Sequence, residues 1–121
     1  MSDEYEAAIA SWRNVIGEAE CVLSRSQTEF KHIIGLAKKS SNLRAHYSSK
    51  ESLGGLLRVM RLSKVDLECD LDLMELGIHP TIHGCLDIER EAARRMQIIE
   101  DLRASWLKTW YAEIANLQRW G

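Results

Sequence analysis

The sequence predicts an all-α fold, an elongated antiparallel bundle of three long helices running up, down and up, and three observations predict it. Apolar residues recur with helical spacing along nearly the whole chain. Proline occurs once and paired turn residues are few, whereas a β-sandwich or barrel needs a turn signal every ~10 residues. Two clusters of turn-forming residues, at 40–48 and 77–80, cut the chain into three stretches of similar length. Kinks at weak points such as Gly17 and Gly35 would divide these helices into four or more.

The first stretch, Asp3 to about Lys39, carries apolar or aromatic residues at 5, 8/9, 12, 15/16, 19, 22/23, 30, 33/34 and 37. That spacing lays one stripe along one helix face. Asp3 with Glu6 three residues on makes an N-terminal cap. Ser26 with Glu29 has the same spacing, but the stripe stays in phase across Ser26, so one continuous helix is expected.

The polar run SSNLRAHYSSK is expected to be a connection, with Ser48 and Glu51 forming a capping box and the second helix starting near 49. Its seam is regular. Leu53, Met60, Leu67 and Met74 repeat every seven residues, and Leu57, Lys64, Leu71 and Ile78 form a companion row with one polar member. Lys64 can fix register there, or extend its stem over apolar neighbours with its amine in water.

GIHPTIHGC, at 77–85, poses a choice between a metal site and a turn. His79 and His83 lie four apart, which on a helix turns two imidazoles to one side, with Cys85 or Glu75 as a further ligand. No spacing rule supplies the third and fourth ligands, however, and the turn already accounts for the glycine and proline. With Leu76 as C-cap, Gly77 takes the left-handed position, Ile78 folds back on Leu73, and Pro80 stops one helix and opens the next. No metal and no cofactor are expected. From Pro80 the third stripe runs through Ile82, Cys85/Leu86, Ala92/Ala93, Met96, Ile99, Leu102, Trp106, Trp110, Ile114 and Leu117.

At 121 residues, 45% hydrophobic and 28% charged, the chain is one globular domain, 1–121, able to bury a core without disulfides or metal. Its three cysteines are widely spaced and odd in number, so they suit a reducing compartment rather than a secreted framework. There is no apolar run of about 18 residues, and MSDEYEAA is acidic where a signal peptide is basic and then apolar. A cytoplasmic protein that does not enter membranes is expected.

Catalysis is not expected. The sequence has no glycine-rich phosphate loop and no nucleophile elbow.

Charge is uneven. From Lys31 to Lys64 there are eight bases and one acid, a balance of +7 in a chain of net −2, which leaves −9 elsewhere. Helix two carries its bases early and its acids late, against the preference of the helix dipole, so neighbouring helices or a partner must supply the opposite charge. Three of the four tryptophans fall in the last sixteen residues. If helix two starts near 49, it spans about 40 Å against nearly 60 Å for helix three, and the aromatic end of helix three overhangs it.

These observations point to a non-enzymatic protein–protein interaction module of the adaptor, assembly-factor, chaperone or inhibitor type. It would use an aromatic and basic end of the bundle and form a homo-oligomer. The candidate contacts are Trp110, Tyr111, Leu117 and Trp120, with Lys38, Lys39 and Arg44 beside them. For Trp106 and Trp110, which continue the core stripe, packing is the competing role. The alternative partner is nucleic acid, held by Arg58, Arg61 and Lys64, although a pI of about 6.1 runs against it.

Overall fold

A computed structural model describes residues 3–78 and 85–120, with the side chains of residues 3, 85–87 and 120 left out. Among the described residues there are three helices and no strand: α1 (Asp3–Lys39), α2 (Leu43–Glu75) and α3 (Cys85–Trp120). The helix α1 is continuous through Ser26. It runs between the other two and packs along both, whereas α2 and α3 touch each other only sparsely. None of these helices is long and apolar enough to cross a membrane.

The core follows the predicted stripes. Tyr5, Ala8, Trp12, Ala19, Val22, Phe30, Ile33 and Ala37 are buried from α1, and Leu53, Met60, Leu67 and Met74 form the α2 seam. Trp12 is wholly buried, and its indole Nε1–H donates to the Leu67 carbonyl at 2.8 Å. The Tyr5 hydroxyl donates to the Met74 carbonyl. Two α1 aromatics therefore fix the register of α2 at the end where α2 finishes. Lys64 extends to Glu68 (3.3 Å) and Glu20 (3.7 Å), so its stem covers the seam and its amine lies among acids.

The start of α2 corrects the expectation from sequence. The connection is only 40–42, and α2 begins at Leu43, not near 49. Ser41 adopts a left-handed φ of 61°, and the Asn42 side-chain oxygen accepts the Ala45 N–H at 3.0 Å. Both Asn42 and Ser48 can cap a helix. Tertiary burial chooses between them, because the longer helix buries Ala45. As a result α2, with 33 residues, spans about 50 Å, and the expected overhang of α3 is largely removed.

The other end of α2 forms as the sequence predicts. Leu76 is the C-cap, Gly77 has φ +80°, Gly77 N–H donates to the Met74 carbonyl, and Ile78 N–H donates to that of Leu73. These two bonds make a Schellman motif. Pro80, His79 and His83 lie outside the described residues.

A second correction concerns α3. The spacing puts Leu102 and Trp106 in the core stripe, yet each is 37% exposed. Arg103 takes the inward position instead, donating from Nε to the fully buried Ser26 hydroxyl (2.9 Å) and from Nη2 to Glu29 (2.5 Å). Turning residue 103 inward carries Leu102 and Trp106 to the side facing α2 and solvent. Beyond it the core resumes with Leu107, Trp110, Ile114 and Leu117.

A charge cluster joins all three helices. The Arg95 guanidinium lies 5.3 Å from the centre of the Trp12 ring and pairs with Asp70 (2.6 Å) and Glu91 (3.1 Å). Arg94, one residue back, forks onto Glu91 at 2.5 and 2.9 Å. Arg94 first, and Arg95 with it, hold the Glu91 carboxyl at about 2 against an ordinary value of 4.5. Because the folded value is the lower one, this contribution to stability is complete above pH 4.5 and is lost as the pH falls towards 2. Urea unfolding of the wild type and Glu91→Gln between pH 6 and 2.5 should therefore show a shallower acid decline in the variant. Parallel declines would assign acid sensitivity to other groups.

Candidate functional site

The N-terminus of α2 and the last third of α3 enclose a cleft of about 330 Å³. Asn42, Arg44, Ala45 and Ser48 line it from α2, and Trp106, Thr109, Trp110 and Glu113 line it from α3. Asn42 is there because it caps α2, and Trp106 because Arg103 has turned inward. The α3 positions 106, 109, 110 and 113 follow the three- and four-residue spacing that keeps side chains on one helix face.

Trp110 gives the cleft its chemical character. The residue is 7% exposed and packs in the core with Ile114, yet its indole Nε1–H has no acceptor among the described residues. A buried donor left unpaired costs about 1–3 kcal/mol, and indole N–H groups ordinarily find an acceptor when buried. Arg44, on the opposite wall, is exposed and makes no ion pair among the described residues. The Trp110 side chain and the Arg44 guanidinium thus line the same space, with Ser48 and Thr109 adding hydroxyls. Glu113 brings one negative charge to the rim.

Comparison with family models, with curated proteins and with solved structures finds no match to this chain. The reading of the site therefore rests on its geometry and chemistry.

Of the predicted contacts, the structure brings Arg44 and Trp110 together across the cleft. Lys38 and Lys39 are exposed in the last turn of α1, where positive charge complements the helix dipole; they stand at the same end of the bundle. Tyr111 is 45% exposed beside the cleft wall, and Leu117 is half-buried against the core. Trp120 closes α3, and its side chain is outside the described residues. Sequence reasoning passed over Asn42, Thr109 and Glu113, and read Ser48 only as a helix cap. The available signal was Asn42, a strong capping residue immediately before LRAHY.

The nucleic-acid candidates are arranged differently. Arg58 and Arg61 are exposed on α2, but Lys64 is engaged by Glu20 and Glu68. That pairing leaves two free cations there instead of three for contact with phosphates. Cys21 and Cys69 are free and exposed.

Proposed function

We propose that this chain is a non-enzymatic protein–protein interaction module whose partner inserts a carbonyl or carboxylate into the Trp106/Trp110 cleft. The observation carrying this reading is the cleft that sets Trp110, whose indole N–H has no acceptor among the described residues, across from the exposed Arg44. An acceptor from a partner removes the cost of the buried donor, and a carboxylate also gains from the guanidinium. Exposed Trp106 provides the flat apolar contact that such interfaces use as an anchor. Self-association belongs to the same reading.

The test is the Trp110 indole resonance in a ¹⁵N–¹H spectrum while a glutamate-rich peptide is titrated. The expected result is a saturable shift of that resonance, weakened at least tenfold by Arg44→Glu. An indole resonance that stays fixed up to millimolar peptide would remove the cleft from consideration. Oligonucleotide binding that falls steeply with salt and disappears in Arg58→Ala/Arg61→Ala would favour the nucleic-acid reading instead.

A further inference from the structure

Between Ile99 and Trp110, α3 carries two strings of residues able to face inward, and they share their ends. Ile99, Leu102, Trp106 and Trp110 form the first; Ile99, Arg103, Leu107 and Trp110 form the second. Steps of three and four residues keep either string on one side of a helix. The structure takes the second: Ile99 and Trp110 are buried and Leu107 packs against the core, while Leu102 and Trp106 are exposed. Ile99 and Trp110 lie within the inward arc of both strings. A partial turn of α3 about its own axis therefore exchanges the middle pairs and leaves the ends inside.

The first string is wholly apolar and the second buries a guanidinium, so apolar burial alone would choose the first. Partners on α1 reverse that choice. Ser26 is a wholly buried hydroxyl in an otherwise apolar stripe. It donates to the Val22 carbonyl at 2.6 Å and accepts from Arg103 Nε at 2.9 Å. Glu29, one turn further along α1, accepts from Arg103 Nη2. This ion pair is partly shielded from water, with side-chain exposures of 19% for Arg103 and 32% for Glu29.

With the cleft taken as the partner site, as proposed above, we propose that α3 is a two-position element latched by Ser26, Arg103 and Glu29 in the position where the cleft exists. A shielded ion pair roughly breaks even against apolar packing of similar volume, so the two positions lie close in free energy and the partners of residue 103 decide between them. Only the arginine-inward position leaves Trp106 to form a wall of the cleft. Ser26 and Glu29 stand on α1 and do not line the cleft; they are positioning residues that act on it through Arg103. By linkage, an occupant of the cleft strengthens the latch by the same factor as the latch strengthens its binding.

The experiment follows the ring resonances of Trp106 in the full chain, attenuated by a soluble paramagnetic agent that reaches only exposed groups. In the wild type they should be strongly attenuated. Glu29→Lys and Arg103→Glu each set like charges against one another at the latch. Each should turn α3, lose most of the attenuation at Trp106, and bind the glutamate-rich peptide at least about fivefold more weakly. The double variant Glu29→Lys/Arg103→Glu restores opposite charges and should return Trp106 to wild-type exposure, a recovery that simple loss of packing would not give. Folded single variants with Trp106 as exposed as in the wild type, or a double variant that leaves it protected, would overturn the latch. If Trp106 follows the latch while even the wild type takes up no peptide, the cleft reading fails and the two positions of α3 stand. Should a single variant lose its helical circular dichroism, Glu29→Gln keeps the shape and removes the charge. It should protect Trp106 in part, and unchanged exposure there would likewise overturn the latch.

Discussion

Trp12→Ala is expected to cost about 3–5 kcal/mol, seen as a lowered urea midpoint with an unchanged slope. The indole is wholly buried and bonded to the Leu67 carbonyl, and it lies beneath Arg95. Alanine removes the contact surface, the hydrogen bond and the ring under the cation together. Since whole domains are stable by roughly 5–15 kcal/mol, such a loss would leave little margin. Trp12→Phe should cost only about 1–2 kcal/mol, because the ring volume largely remains while the N–H donor is lost. If alanine costs less than about 1 kcal/mol, the α1–α2 register is anchored elsewhere, with Tyr5 and its bond to Met74 next in line.

Arg95→Ala should cost about 2–3 kcal/mol, since it strips Asp70 of its ion pair and Trp12 of its cation. Its partners are half-buried, with side-chain exposures of 28% for Arg95 and 23% for Asp70, so the pair is less screened than a surface one. Arg95→Lys should recover only part of the loss, because a single ammonium cannot fork between Asp70 and Glu91 while lying flat on the indole. Thermal unfolding of the single variants and of Trp12→Ala/Arg95→Ala would measure the coupling. The double variant should lose about 0.5–1 kcal/mol less than the sum of the singles, as groups in contact do. Strict additivity would show that the cation over the ring contributes nothing.

These two residues explain how a sparsely touching α2 and α3 are held in one body. Arg95 reaches from α3 to Asp70 on α2 across Trp12 of α1. At the opposite end no comparable bridge joins α2 to α3 among the described residues, and the cleft with Trp106 and Trp110 opens there.

Much of the fold was legible in the sequence because it depends on local periodicity. The seam of Leu53, Met60, Leu67 and Met74 and the continuity of α1 through Ser26 follow from spacing alone, as the Gly77 cap does from the left-handed position it fills. The candidate site was legible only in part. Arg44 and Trp110 stood out as a cation and an aromatic at the same end, but their meeting across a cleft depended on where α2 begins.

The sequence by itself determined that this chain is helical, that three long helices fold against one another, and which face of α1 and α2 turns inward, because all of these follow from the 3.6-residue repeat and from caps built within a few residues. The tertiary structure decided the contests between equal local signals. Asn42 prevailed over Ser48 as the cap because the longer helix buries Ala45. Arg103 turned inward in place of Leu102 and Trp106 because Ser26 and Glu29 on α1 offered it partners. Both outcomes depend on groups more than fifty residues apart or on surfaces formed only by packing, and together they opened the cleft.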